Sequence, residues 1–306
     1  MAYLGVFMKQ ILVSGLATID VIHYLDEFPV DGRKYKAKDS LLTGGGNALN
    51  SAIAISRLGG SATLLTTIGQ DTFGDLILEE LQTEKVKTHA IYKKSKLKTS
   101  YSSIAINKMG DRQIINYRSP DLDCSTNLVM KEKSFHAYLT DGRLPNTTLL
   151  TLKEARKRKK PGVLDGENPV CPTALKLASH IAFSRQGLSS FSNSSSILKG
   201  LKIAQNYSNN WFCVTDGEEG VFFLHGEELI QLKPPKVTVV DTLGAGDVWH
   251  GAFALALAHS QPPSQACIFA NKIASKKCTK YGGKNGSPYK DEVKLIEETP
   301  KVSFNQ

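Results

Sequence analysis

Two hydrophobic periods alternate along the chain. Gln10 to Ser14 (QILVS) and Ala62 to Thr67 (ATLLTT) are short apolar or β-branched runs, which predicts buried strands. Asn47 to Leu58 repeats its apolar residues at helical spacing and stops at Gly59-Gly60. Asp71 to Thr83 reads as a second helix, with Leu76, Leu78 and Leu81 among its apolar positions. Further strands are predicted at His136 to Leu139, Gly162 to Leu164, His180 to Phe183 and Trp211 to Thr215. Helices are predicted between them at Thr147 to Lys159, Thr173 to Ser179 and Ser195 to Tyr207. This rhythm predicts an α/β fold, a mostly parallel sheet flanked by helices on both faces. Ligands of such a sheet gather beyond the carboxyl ends of its strands.

Two stretches break the rhythm. Arg33 to Leu42 is extended and polar. Tyr101 to Asn107 and Arg112 to Tyr117 flank Lys108-Met109-Gly110-Asp111, the pattern of a β-hairpin with a Gly-containing turn. Strands without intervening helices predict a small sheet standing off the main one. Such a sheet serves either as a flap over a site or as an edge decoration. Ser189 to Ser196 (SSFSNSSS) is predicted to be a loop.

Composition narrows the classes. At 306 residues, 41% hydrophobic and 22% charged, the chain is neither collagen-like, coiled-coil nor disordered. No apolar run approaches the ~20 residues of a membrane span. Lysine and arginine outnumber the acids 38 to 29, a net charge of +9 that suits either an anionic ligand or a solvated lysine surface. The densest basic run, Lys153 to Lys160 (KEARKRKK), reads as a helix end stopped by Pro161-Gly162, where cations suit the dipole, rather than as a nucleic-acid patch. The five cysteines form no CxxC pair and show no metal spacing, so they read as reduced thiols. With no signal-like N-terminus, a cytoplasmic location is expected, with no membrane or nucleic-acid partner.

The richest chemistry lies in Val239 to Ala254, VVDTLGAGDVWHGAFA. A β-branched run ends in Asp241-Thr242, followed by Gly244-Ala245-Gly246 and an apolar helix. Glycines before a helix expose its first N–H groups, and these with the dipole make an anion site. Asp247 falls in the first helical turn, placed to take a proton from an incoming hydroxyl or simply to cap a glycine turn. In Gly44 to Gly60, GGGNALNSAIAISRLGG, Asn47 and Asn50 are three apart and share one face of a first turn. Their amides suit sugar hydroxyls, or an N-cap and close helix packing. Asp20 follows the first strand at the ligand end, where a carboxylate suits a diol. Val214 to Gly220 (VTDGEEG) offers a hydroxyl and close backbone approach at another strand end.

The segments Gly44 to Gly60 and Asp241 to Ala254, in this order and spacing, resemble the two signature segments of the PfkB/ribokinase carbohydrate kinases. The resemblance covers nearly the whole chain. It implies a single ribokinase-like kinase domain over residues 1–306, with a β-sheet lid formed by about 31–43 and 99–120. It implies ATP-dependent transfer of the γ-phosphoryl group to a sugar hydroxyl, with Mg²⁺ and in some members a monovalent cation. By carry-over, Asp247 is the catalytic base and Gly244, Ala245 and Gly246 form the anion hole. Asp20, Gly46, Asn47 and Asn50 bind sugar. Thr215, Gly217 and Gly220 line the nucleotide site, with Asn271 and Ala274 near adenine. Lids of this family often build dimers, so a homodimer is expected.

Asn116 to Leu122 (NYRSPDL), Lys276 to Gly283 (KKCTKYGG) and the SRQGL stretch resemble the ketohexokinase and sulfofructose kinase branch. In sulfofructose kinases a Lys, an Arg and an Asn grip the sulfonate, and the matching positions are Lys34, Arg143 and Asn116. The expected acceptor is therefore a ketose or a 6-substituted anionic ketose such as sulfofructose. Ribose or a nucleoside is the alternative, and a non-catalytic sugar sensor is the alternative of another class. Three departures stand out. Ser184-Arg185-Gln186-Gly187 replaces the family's Asn-x-x-Glu, which leaves the metal position undefined. Trp249 replaces the usual Phe. His250 follows it and reads as structural.

Overall fold

The computed structural model describes residues 8–123 and 135–293; Cys124 lies outside them. In chain order the elements are β1 (Gln10–Ser14), β2 (Thr18–Tyr24), β3 (Asp39–Gly45), α1 (Asn47–Arg57), β4 (Ser61–Gly69), α2 (Thr72–Thr83), β5 (Ile91–Lys94), β6 (Tyr101–Ile106) and β7 (Arg112–Tyr117). There follow β8 (Ala137–Thr140), α3 (Pro145–Lys157), β9 (Gly162–Gly166), α4 (Pro172–Leu177), β10 (His180–Ser184), α5 (Arg185–Ser192), α6 (Ile197–Tyr207) and β11 (Trp211–Thr215). The chain then forms β12 (Val221–His225), β13 (Glu228–Leu232), α7 (Ala245–Ala258), α8 (Pro263–Cys278) and α9 (Lys290–Val293).

The main sheet has the order β13-β12-β11-β10-β9-β8-β1-β4-β5. Strands β11 through β5 of this order pair in parallel, and β12 and β13 add an antiparallel edge. Successive residues of β1 point to opposite faces, and both faces are buried. Ile11 and Val13 join a core with α1, α7 and α8, whereas Leu12 packs with Tyr138 and Ala155 on the other side. Further along that second face Leu164, Ile181, Phe183 and Val214 meet α4, α5 and α6. Burial on both faces explains why these strands read as continuous apolar runs rather than alternating ones.

The second sheet has the order β3-β2-β6-β7 and mixes pairings: β2 runs parallel to β6, while β3 and β7 are antiparallel to their neighbours. Its central strand β2 was not among the sequence expectations. Asp20 therefore sits within a strand of this second sheet, not in a loop after β1. The alternation in Thr18–Tyr24 was masked by two polar residues, Asp20 and His23, that face ligand space or solvent. The stretch Arg33 to Leu42 is only partly strand, since β3 begins at Asp39.

The serine-rich stretch also departs from expectation. Ser189–Ser192 forms the end of α5, Asn193 in the left-handed region ends it, and only residues 193–196 link it to α6. Ser184 caps α5 by accepting from the Gly187 N–H at 2.9 Å, and Leu188 and Phe191 supply the apolar face that serine composition hides. The basic run KEARKRKK ends α3, with Arg156 and Lys157 in its last turn.

Helices α1 and α7 cross at Gly251, where a Cβ would lie 2.7 Å from the Ser51 carbonyl oxygen. No larger residue fits without parting the helices. Gly251→Val is expected to cost about 1–3 kcal/mol and lower Tm by roughly 3–10 °C. A thermal melt checks this, and an unchanged Tm would mean the crossing is not tightly packed.

Candidate active site

Because β8, β9, β10 and β11 run parallel, their carboxyl ends open on one side of the sheet. That side collects Asp141 after β8, Asp165 in β9, Ser184 closing β10 and Thr215 closing β11. The N-terminus of α7 and the second sheet face the same region. Between them lies a cavity of about 190 Å³ lined by residues that include Asp20, Gly46, Asn47, Asn50, Asn116, Gly244 and Asp247. Seven positions singled out from sequence thus share one cavity.

Asp247 sits in the first turn of α7. Its Oδ2 accepts from Asn50 Nδ2 at 2.6 Å, and its backbone carbonyl accepts from Ser51 Oγ at 2.8 Å. Gly244 precedes the helix at φ 73°, the left-handed region that favours glycine. No side chain caps this helix, and a Cβ on Gly246 would meet nothing within 4 Å. The Ala245 N–H donates to the Thr242 carbonyl at 3.2 Å, so the open cradle expected over Gly244 to Gly246 rests on the neighbouring amides such as that of Gly246, with the helix dipole behind it. Burial pushes the Asp247 carboxyl up to about 7; the Asn50 amide opposes this, and nearby Asp165 adds to it.

Around this carboxylate the partners are specific. Asn47 Nδ2 donates to Asp165 Oδ2 at 3.3 Å. The Asn50 Oδ1 and Asp165 Oδ1 atoms are buried without a hydrogen-bond partner among the described residues. Orphaned acceptors of this kind beside a cavity call for a donor such as a ligand hydroxyl or a bound cation. Asp20 accepts from Thr18 Oγ1 at 3.3 Å, and burial raises its carboxyl, with Ser102 and the Lys284 charge opposing. Lys284 is itself buried, 2.7 Å from Glu80 Oε1 and 2.6 Å from Thr43 Oγ1.

His250 is structurally engaged on both ring nitrogens. Nδ1 lies 2.8 Å from the Gly246 carbonyl oxygen, and Nε2 lies 3.2 Å from that of Ala182 and 3.6 Å from Asp165 Oδ1. Carbonyl oxygens only accept, so a neutral ring satisfies one of these contacts and a protonated ring both. Burial pushes its pKa down, but the Asp165 carboxylate and the two carbonyls outweigh that and hold it above the ordinary value. Trp249 donates from Nε1 to Asn271 Oδ1 at 2.8 Å and stacks on Phe253.

Other predicted residues lie elsewhere or are occupied. Lys34 is exposed in the segment before β3 and does not line the cavity. Arg143 follows β8; its guanidinium donates to the Asn168 carbonyl at 3.0 Å and stands 3.9 Å from Glu167 Oε2, with Nε unpartnered. Asn116 on β7 accepts from Ser102 Oγ at 2.9 Å. Thr215 donates to the Phe183 carbonyl at 3.3 Å, and Gly217 opens onto free space. Gly220 is required by packing, since a Cβ there would lie 2.2 Å from the Leu232 carbonyl oxygen. Asn271 is buried, giving Nδ2 to the Leu232 carbonyl at 2.8 Å, so its amide is consumed by the fold; Ala274 is half-buried one turn on.

Three residues were missed. Asp141 and Asp165 are buried acids closing β8 and β9. Asp141 accepts from the Leu16 N–H at 2.7 Å and the Arg143 N–H at 2.9 Å, and burial raises it to about 6. An acid directly after an apolar strand, as in AYLTD and GVLDG, was the available signal. Arg118 lines the cavity, close enough to Arg143 for each charge to act on the other, and no ion pair or hydrogen bond engages it among the described residues. It hid inside the NYRSPDL string.

Comparison with known proteins decides the family. Residues 8–290 match the pfkB family carbohydrate kinase pattern. The chain belongs to this family. It is an ATP-dependent sugar kinase. The ribokinase of Bacillus subtilis (strain 168) is 26% identical over 298 residues, covering 94% of this chain and 99% of that protein. The ketohexokinase of Mus musculus is 24% identical over 295 residues, covering 88% of this chain and 96% of its own. The structure of Arabidopsis thaliana ribokinase complexed with ribose and ATP superposes with a TM-score of 0.83 at 21% identity, covering 96% of this chain and 100% of that one. This likeness shows the ribokinase-like fold. Among the described residues no helix is long and apolar enough to cross a membrane.

Were Asp247 to accept the proton of an incoming hydroxyl, as the family resemblance implies, it would have to be deprotonated to work. A pKa raised to about 7 means that kcat/KM rises about tenfold per pH unit below pH 7 and levels off above it. Asn50→Ala removes the amide that lowers this pKa and should move the limb to higher pH. A rate–pH profile of both proteins checks this; a limb near the ordinary carboxylate pKa would assign the proton to another group.

Proposed function

We propose that this kinase phosphorylates a ketose carrying an anionic group at its terminal carbon, of which 6-deoxy-6-sulfofructose is the type. The observation that carries the reading is the pair Arg118 and Arg143. Arg118 lines the cavity without a hydrogen bond or ion pair among the described residues, and Arg143, outside the lining, is near enough to act on its charge, as is the Asp141 carboxylate. A guanidinium without an ion pair at a cavity, with a second one near it, suits an anion with several acceptor oxygens. Asn116 adds an amide on the same wall. Lys34, expected here from the family resemblance, takes no part in this reading.

In the proposed mechanism Asp20, Asn47 and Asn50 hold the sugar hydroxyls, with Gly46 allowing close approach. The Asn50 Oδ1 that lacks a partner accepts from one of them. Asp247 takes the proton of the attacking hydroxyl. The amides from Gly244 to Gly246 stabilise the charge on the phosphoryl group, so catalysis is positioning plus electrostatics. Thr215 and Gly217 border the nucleotide phosphates. Among the described residues no group of three or more His, Cys, Asp or Glu side chains is placed to hold a metal. In this reading Mg²⁺ would arrive on the nucleotide, since it keeps phosphate and water oxygens and takes only one or two carboxylates. Asp165 and Glu167 are the acids that would hold it, and bound there it neutralises phosphate charge.

The second sheet serves as the lid in this reading. Its edge strand β7 exposes Ile114 and Ile115, 45% and 69% accessible, which supports pairing with a second copy of the chain. The free thiols of Cys171, Cys213, Cys267 and Cys278 support a cytoplasmic location. A second reading takes ribose as acceptor. It is supported by the small cavity, about 190 Å³, and by the similarity to the Bacillus subtilis ribokinase.

ATP turnover on fructose, ribose, fructose 6-phosphate, tagatose 6-phosphate, 6-deoxy-6-sulfofructose and adenosine separates these readings. Turnover confined to 6-anionic ketoses, with KM raised at least about tenfold in Arg118→Ala and Arg143→Ala, is the expected result. Turnover on ribose that is indifferent to both arginines would install the second reading. Asp247→Asn should lose at least about 10² in kcat while ATP still binds, and near-wild-type turnover would remove Asp247 as the base.

A further inference from the structure

Lys277 has no place in the chemistry described so far, yet its side chain is completely buried. It leaves the last turn of α8 and ends beneath the turn that opens α7. Its Nζ donates to the Asp241 carbonyl oxygen at 2.7 Å and lies 3.7 Å from Asp241 Oδ2. The same carboxylate accepts from the N–H of Leu243 at 2.7 Å and that of Gly283 at 2.8 Å. The N–H groups of Val240 and Asp241 both donate to the Cys278 carbonyl. Asp241 is therefore the hub that ties the glycine turn to the C-terminal end of α8, and one ammonium sits at that hub.

A dissolved monovalent cation, expected from the family resemblance, would need oxygen ligands at such a place. Here the Asp241 carbonyl oxygen already accepts from the ammonium, and its two carboxylate oxygens accept from the Leu243 and Gly283 N–H groups. The residues present do not fit a free ion. Burying a lysine is costly unless its charge is matched, and burial does push its pKa down while Asp241 opposes. The match is a carboxylate whose own function is to shape the anion cradle.

We propose that Lys277 is a built-in monovalent cation. Its ammonium fills the position a potassium ion would take behind the cradle, so the kinase needs no added monovalent ion. The inference rests on the reading of Gly244 to Gly246 as the phosphoryl cradle. Lys277 acts through Asp241 and is a positioning residue, not a catalytic one.

The test compares the full-length enzyme in choline chloride and in potassium chloride at equal ionic strength. The wild type should turn over within about twofold in the two salts. Lys277→Ala should lose about tenfold or more in choline chloride and recover in potassium or ammonium chloride, but not in lithium chloride. Lys277→Met, which fills the space without charge, should lose activity and not recover. Thermal melts supply a readout independent of any sugar. Potassium should raise the Tm of Lys277→Ala above that in choline and leave the wild type unchanged. A wild type that is strongly activated or thermally stabilised by potassium would overturn the proposal. So would a Lys277→Ala enzyme that is fully active in choline chloride, or one whose lost activity no cation restores. Should no sugar be turned over, the substrate reading fails and the melts still decide the role of Lys277. Should the alanine variant not fold, the potassium response of the wild type decides it.

Discussion

The contact between the N-terminal turns of α1 and α7 is the constraint on which the site depends. Asn50 and Ser51 on one helix hold the Asp247 carboxylate and carbonyl on the other. The helices approach this closely because Gly251 presents no side chain to Ser51. Small residues along both helices, such as Ala48, Ala52, Ala252 and Ala256, are wholly buried and keep the crossing tight. A packing interaction between segments far apart in sequence therefore fixes the aim of the base. Rigid placement of this kind is what lets a site work by positioning and electrostatics.

Charge is managed by burial in pairs. Acids Asp20, Asp141, Asp165 and Asp247 lie together at the strand ends, and each would repel the phosphates of a nucleotide if left alone. Cations are interleaved: His250 against Asp165, Lys284 against Glu80 near Asp20, and Lys277 against Asp241. Each of these three cations is buried, so its partner feels it through a medium that screens little. The side of the cavity away from the base carries the opposite pattern. There Arg118 lines the cavity without an ion pair among the described residues, and Arg143 is near enough to act on its charge, which leaves a positive field for an incoming anion.

The second sheet links these halves. Its strand β2 carries Asp20, while β6 and β7 bring Ser102 and Asn116 over the cavity. One small element thus supplies a carboxylate toward the main sheet and an amide toward the arginines.

The sequence by itself determined the architecture and the centre of the site. Strands buried on both faces must be apolar throughout, and helices must repeat at their own period, so the α/β alternation is written locally. The glycine turn, Asp247, Asn47 and Asn50 are legible because a helix start with an open anion cradle requires those residue types at those spacings. Tertiary structure decided the rest. The role of Asp20 depended on β2 pairing with β3 and β6, which two polar residues concealed. Lys34 and Arg118 are both basic residues beside the second sheet, and only the fold separates the solvated one from the one at the cavity. Asn271 looks available in the sequence, but its amide is spent between Trp249 and Leu232. Lys277 looks like any surface lysine near a helix end, and its burial beneath Asp241 arises from the packing of α8 against the turn. Local pattern fixes what an element is, whereas the partner of a polar group is set by contacts between elements that no local pattern records.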